Sequence, residues 1–218
     1  GKNPQARIDT LKLTTPQGVA LWPKLAEPDT TFKEEGEYSV NLVLTEEDAT
    51  PIIEKAKAHL DKFIAAQAKL LGKKTIAKAN TTPWREDEDR ETKEPTGNIR
   101  LNIKMKASTI TKLGKKIDFT PAVFDKYGKP TDASFGSGSL IRVNFEVNPW
   151  YSPALGAGVQ FRLVAVQVLE ARGHSKPTNA AECGFDVVES ADLETLADEA
   201  GAAPAEAPNS SASSGGDF

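Results

Sequence analysis

The chain has 218 residues, of which 39% are hydrophobic and 27% are charged, which suits one medium-sized domain with an extension or two small domains. A single cysteine excludes a disulfide framework and a cysteine-based zinc site, and no apolar run approaches the roughly 20 residues of a membrane span. The net charge of −4 is unevenly distributed, because residues 177–218 hold nine acidic residues and no basic one, which leaves +5 on residues 1–176. This segregation indicates either a polyanion binder that carries its own competitor or a body with a solubilising tail.

Short segments with alternating apolar and polar residues predict β-strands. The first strand is expected at 7–13 and the next at 38–45. The apolar residues of the second segment all share one face: Tyr38, Val40, Leu42 and Leu44.

One long helix is predicted at about 46–71. Thr45 and Asp48 offer side-chain oxygens that can cap its N-terminus, and Gly72 is expected to end it. Apolar residues recur along it at helical spacing: Ile52, Ala56, Leu60, Phe63 and Leu70.

Residues 73–97 are mostly polar and are interpreted as a loop, which contains the pair Trp84–Arg85 and the acidic run 86–89. A strand is predicted at 99–106, with an apolar face and a basic face. The basic face holds Arg100, Asn102, Lys104 and Lys106.

The second half of the chain predicts more strands joined by turns. Residues 112–116 are expected to form the tip of a basic hairpin, followed by short strands at 117–120 and 122–124. Two longer strands are predicted at 141–147 and 159–169. Between them, the prolines around Trp150 and Tyr151 indicate a loop.

Several strands with one helix, and without strand–helix alternation, predict an all-β barrel or sandwich with an inserted helix. We assign residues 1–176 to this domain and 177–218 to an acidic tail. Because 14 of the last 18 residues are Ala, Ser, Gly or Pro, the tail is expected to be largely disordered.

No catalytic group of residues is recognisable, so we expect neither enzyme activity nor a metal or cofactor. His59 and His174 have no sequence neighbour that would complete a catalytic pair, and Cys183 lacks a basic neighbour that would activate it. The run 86–89 lacks the spaced ligands of a metal site, which makes a metal-dependent nuclease a weak alternative.

Basic residues and aromatic rings in the same region favour a single-stranded nucleic acid as the ligand. Cations bind the sugar–phosphate backbone, and each base stacked on an aromatic ring contributes about 1–3 kcal/mol. We place the strand over the basic face of 99–106, between the segments that hold Trp84 and Trp150. The predicted DNA contacts are Trp84, Arg85, Arg100, Lys104, Lys106, Lys112, Lys115, Lys116, Phe124, Trp150 and Tyr151.

Three segments carry a family resemblance: Phe-Gly-Ser-Gly-Ser-Leu-Ile-Arg-Val-Asn-Phe-Glu-Val-Asn-Pro-Trp-Tyr at 135–151, Gly-Ala-Gly-Val-Gln-Phe-Arg-Leu at 156–163, and the terminal Gly-Asp-Phe. They resemble the phage-encoded single-stranded DNA-binding proteins of the T7-like coliphages. The resemblance implies an OB-fold with a helix inserted between strands, in a protein that coats single-stranded DNA. It also implies an acidic tail, ending in Asp217 and Phe218, that recruits replication proteins such as a polymerase or a helicase.

These observations predict a protein of phage DNA replication, recombination and repair in the cytoplasm of an infected bacterial host, without a membrane partner. A homodimer and a cooperative array on DNA both stay open. The alternatives are an annealing protein that binds duplex DNA or RNA, and a β-rich replisome scaffold that binds no nucleic acid. Trp22 lies outside the resemblance and receives no role.

Overall fold

The structure, a computed structural model, describes residues 4–31 and 33–173. The tail at 177–218, including Asp217 and Phe218, lies outside the described residues, as do His174 and Cys183. The elements follow in the order β1 (Leu11–Thr14), β2 (Gly18–Asp29), β3 (Glu37–Thr45), α1 (Glu46–Leu70), β4 (Trp84–Glu88), β5 (Pro95–Lys106), β6 (Ser108–Ile110), β7 (Lys116–Asp118), β8 (Ala122–Phe124), β9 (Leu140–Ser152) and β10 (Gly156–Glu170). In this described part, no helix is both long enough and apolar enough to cross a membrane.

Five strands close into a barrel. Around the ring, β2 pairs with β3, β3 with β5, β5 with β10, β10 with β9, and β9 with β2 again. The β5–β10 and β9–β2 pairings are each only two residue pairs long, so the ring is partly open at two seams. A five-stranded, partly open barrel is the OB architecture, and the predicted barrel with an inserted helix is confirmed.

The interior of the barrel follows from alternation along its strands, because successive side chains point to opposite faces. All the residues predicted to face inward on β3 are buried. The same holds on β9 for Ile141, Val143, Phe145 and Val147. On β5, Leu101 and Ile103 are fully buried, whereas Ile99 and Met105, at the two ends of the same apolar face, are partly exposed.

The helix lies between β3 and β4 in the chain and packs against the barrel strands β3, β5, β9 and β10. The N–H of Asp48 donates to Thr45 Oγ1 at 3.2 Å, so Thr45 is the N-cap, and Gly72 with φ of +64° ends the helix. Leu70, which the helical spacing grouped with the apolar face, is 52% exposed and does not belong to that face. Leu71 instead packs against the core, because it lies four residues after the fully buried Gln67.

Apart from β6, which only the predicted hairpin implied, two strands were not predicted. In β2, prolines at 23 and 28 and two register shifts against β3 interrupt the alternation that would reveal a strand. In β4, which falls inside the predicted loop 73–97, the one buried residue is Asp87 rather than an apolar side chain. The first strand is shorter than predicted and begins at Leu11.

The loop predicted around Trp150 and Tyr151 is also wrong, since both residues lie on β9, which continues to Ser152. Pro149 is tolerated because, beyond Val147, β9 pairs within the described residues only with β10. The basic hairpin is confirmed: β6 and β7 form a separate two-stranded sheet whose turn contains Gly114.

Candidate nucleic-acid interface

A cleft of about 490 Å³, which we name the main cleft, lies between β4–β5 and the β9–β10 hairpin. It brings together five of the predicted DNA contacts: Trp84, Arg85, Arg100, Lys104 and Trp150. The other lining residues are uncharged: Asn41, Thr81, Thr82, Pro83, Asn102, Val159, Gln160 and Phe161. Among the described residues, three cations and no carboxylate therefore line the cleft, which favours a polyanionic ligand.

Trp84 is held by the start of β4 and is not in a mobile loop. It pairs with Leu101 of β5, and its ring centroid lies 5.9 Å from that of the buried Phe161. The preceding residue is fixed as well, because the carbonyl of Pro83 accepts a 2.8 Å hydrogen bond from the N–H of Asn102. The ring is half-buried and preorganised at the floor of the cleft.

Trp150 is positioned by a glycine on the neighbouring strand. It lies directly opposite Gly158 of β10. A Cβ atom at position 158 would lie 2.6 Å from Cζ2 of the indole, so the ring covers the glycine at a distance that no side chain allows. Tyr151 points the other way and packs against the core, as expected for consecutive strand residues, and it does not line the main cleft.

Arg100 is not the exposed cation that alternation along β5 predicts. Its side chain is 8% exposed, and its Nε and Nη2 both donate to Oδ1 of Asp87, the Nε bond being 2.9 Å long. Asp87 also accepts from Thr96 Oγ1 at 3.0 Å. The acidic run 86–89 therefore supplies the counter-ion of Arg100, and β4 covers part of the basic face.

The remaining cations of the main cleft differ in availability. Lys104 Nζ lies 3.4 Å from Glu37 Oε1, which leaves Lys104 paired and partly exposed. Arg85 is exposed and makes no ion pair within the described residues. Arg85 is thus the cation of this cleft that is most available to a phosphate. In the same described ranges, no three His, Cys, Asp or Glu side chains are grouped so that they could hold a metal ion.

The other predicted contacts lie away from the main cleft. Lys106, at the end of β5, pairs with Glu35 at 3.2 Å. The hairpin holds Lys112, Lys115 and Lys116. Phe124 lies on β8 opposite Gln167, six residues along β10 from Phe161, which corresponds to about 20 Å of extended strand.

One aromatic residue near the main cleft received no role from the sequence. Trp22 on β2 is 43% exposed and lines a second cleft, of about 360 Å³, that shares Arg85 and Arg100 with the main cleft. Pro23 follows Trp22 in the sequence, and Pro149 precedes Trp150, so both tryptophans lie next to a proline. This proximity could have indicated Trp22, but the segment lacks the alternation of apolar and polar residues that predicts a strand.

No family model and no curated protein sequence matches this chain. Among solved structures, it is similar to gp2.5, a single-stranded DNA-binding protein encoded by bacteriophage T7, with a TM-score of 0.63, 20% identity, and coverage of 84% of this chain and 100% of that chain. It is also similar to the single-stranded DNA-binding protein from bacteriophage Enc34, with a TM-score of 0.50, 10% identity, and coverage of 80% and 90%. For that protein in complex with single-stranded DNA, the TM-score is 0.52 at 11% identity, with coverage of 77% and 89%.

These likenesses show that the chain has the fold of phage single-stranded DNA-binding proteins. The OB-fold implied by the resemblance of segments 135–151 and 156–163 is therefore confirmed. Which residues contact DNA stays a prediction.

Proposed function

We propose that this chain is a non-enzymatic single-stranded DNA-binding protein whose DNA lies in the main cleft. One observation carries the proposal: the cleft combines two tryptophan rings with the exposed Arg85, which makes no ion pair within the described residues, and no carboxylate of these residues lines it. The shared fold supports it, since one of the similar structures is a complex with single-stranded DNA.

In this proposal, different residues of the main cleft bind the bases and the phosphates. The rings of Trp84 and Trp150 present apolar faces on which unpaired bases stack, and the guanidinium of Arg85 binds the backbone. In a duplex the bases are already stacked on one another, so these rings would find no base face to bind. The arrangement therefore favours single strands over duplex DNA.

The wider role of the chain follows from its sequence. In this proposal, the protein coats and protects single-stranded DNA during phage replication, recombination and repair in the cytoplasm of an infected bacterial host. Its acidic tail competes with DNA for the basic body, and Asp217 and Phe218 recruit replication proteins. The nine acidic residues of 177–218, against a body of +5, support the competition.

The test is a titration of fluorescently labelled oligo-dT with the full chain. We expect Trp84→Ala and Trp150→Ala each to weaken binding by roughly 5- to 150-fold, which corresponds to the loss of one stacked base. Tyr127→Ala is the matched control, because Tyr127 is 75% exposed and lies outside the main cleft. Its affinity should stay unchanged.

Competition with unlabelled duplex DNA and RNA separates the alternatives. Single-stranded DNA should displace the labelled oligonucleotide at the lowest concentration. Equal displacement by duplex or RNA would favour an annealing protein that binds through charge alone. If no nucleic acid binds at low salt, the proposal is wrong and a replisome scaffold is favoured.

A further inference from the structure

The second cleft is a continuation of the main cleft. It is lined by Trp22, Arg85, Glu86, Glu88, Asp89, Arg90, Lys93 and Arg100. Because Arg85 and Arg100 line both clefts, a strand that leaves Trp84 can pass Arg85 and reach Trp22 without crossing the core.

Trp22 is exposed without being part of the core. The half-buried Trp84 packs against the hydrophobic core, whereas Trp22 is not among the residues that do so. The ring of Trp22 therefore lies at the surface of the second cleft and outside the core.

The backbone holds Trp22 in an unusual conformation. Its φ is +47°, in the left-handed region, which is rare for a bulky residue and clusters at functional sites. The β2–β3 register shifts between Leu21 and Lys24, and the N–H of Trp22 donates a 2.8 Å hydrogen bond to Ser137 Oγ. Trp22 therefore lies within a β-bulge of β2.

Two arginines lie against the indole. The Cζ atoms of Arg90 and Arg100 lie 4.7 Å and 5.1 Å from the ring centroid. Arg100 is fixed by Asp87, whereas Arg90 makes no ion pair within residues 4–31 and 33–173. A planar guanidinium stacks on an indole much as a base does. A base could therefore replace the guanidinium of Arg90 on the ring, and Arg90 could then bind the adjacent phosphate.

The second cleft also contains three acidic residues, Glu86, Glu88 and Asp89, which would repel phosphates. Asp89 accepts hydrogen bonds from the N–H groups of Glu91 and Thr92 inside its own turn, and these bonds lower its pKa. Glu86 and Glu88 remain exposed. This mixed charge is unsuited to a run of phosphates, so the indole of Trp22 is the surface of this cleft that best fits a nucleotide.

We propose that Trp22 is a second base-stacking site, which takes a further nucleotide of the strand held in the main cleft. The inference rests on the proposed function and extends it. Trp22 then increases affinity only for oligonucleotides that are long enough to reach from the main cleft to the second.

The experiment compares oligo-dT of about 4 and about 16 nucleotides, the range of site sizes for one OB-fold. We expect Trp22→Ala to weaken binding of the long oligonucleotide by roughly 5- to 150-fold and to leave the short one unchanged. Trp22→Phe, which keeps an aromatic face, should restore most of the affinity. Trp84→Ala should weaken both lengths.

Equal effects of Trp22→Ala on both lengths, or none on either, would overturn the inference. If the wild-type chain binds neither length, it is the proposed function that fails. Should Trp22→Ala not fold, the Trp84→Phe/Trp150→Phe variant gives a second readout, because Trp22 is then the only tryptophan. At saturation, the long oligonucleotide should quench its fluorescence and the short one should not, and quenching by neither would contradict the proposal.

Discussion

Among single residues, Gly158 leaves the space on β10 that the ring of Trp150 occupies in the main cleft. The indole of Trp150 lies so close to Gly158 that a Cβ atom would approach Cζ2 to 2.6 Å. Real Cβ atoms do not make such contacts, so any side chain at this position must displace the ring. The position of the stacking surface is thus set by the absence of a side chain on β10.

We therefore expect Gly158→Ala to weaken binding of oligo-dT even though every predicted DNA contact is retained. The loss should reach about the tenfold range, within that expected for one stacked base, as measured in the same titration. A thermal melt of each variant should show that the barrel remains folded.

A double-mutant cycle tests whether Gly158→Ala weakens binding by displacing the ring of Trp150. If the added methyl group acts through the ring, Gly158→Ala should have no further effect in the Trp150→Ala background. Additive losses would mean that position 158 affects binding independently of Trp150.

Among the helices and strands, an element can be predicted from sequence when its apolar residues follow the period of a strand or a helix. In β3 and in residues 141–147 of β9, apolar residues alternate without interruption, and the strands predicted from sequence are those observed. The helix has a capping residue, a periodic apolar face and a terminal glycine, and its bounds agree to within one residue. In β2 and β4, prolines, bulges and a buried ion pair replace the apolar signal.

The candidate site was predictable in composition but not in the environment of each residue. Sequence grouped Trp84, Arg85, Lys104 and Trp150, which meet in one cleft. It could not show that Arg100 is buried, because its counter-ion Asp87 comes from a strand 13 residues away along the chain. Pairing between strands decides exposure, and one strand's alternation does not reveal what its neighbour covers.

The β6–β7 hairpin is a candidate extension of the DNA-binding surface beyond the two clefts. Lys112 and Lys115 make no ion pair within the described residues, and the hairpin lies outside the main cleft. If the hairpin binds phosphates, each lost contact should reduce the steepness of log affinity against log salt by about 0.7. We expect the Lys112→Ala/Lys115→Ala variant to flatten this slope by about 1.4.

Titrations of oligo-dT between about 50 and about 200 mM salt measure the slope. Lys126→Ala is a suitable control, because Lys126 is exposed and lies against Tyr127, outside both clefts. An unchanged slope in the double variant would confine the DNA to the two clefts and remove the hairpin from the interface.

At the scale of the whole molecule, charge separates along the chain more sharply than the net value of −4 suggests. Residues 177–218 contribute −9 and the rest contributes +5. In the proposed function both DNA and the tail are polyanions, so we expect both to be attracted to the same cations and to compete in proportion to their local concentration. The covalent link gives the tail a constant local concentration, whatever the concentration of DNA.

The body alone, residues 1–176, should therefore bind oligo-dT more tightly than the full chain at about 50 mM salt, and the difference should shrink towards about 200 mM as screening increases. A full-length variant with the nine tail carboxylates changed to amides is the matched control, because it keeps the length of the tail and removes its charge. If competition is electrostatic, this variant should bind like the body alone. Equal affinity of the body and the full chain at low salt would contradict the competition. If the body alone binds oligo-dT tightly but the variant with the neutralised tail binds it weakly, the effect comes from the bulk of the tail and not from its charge.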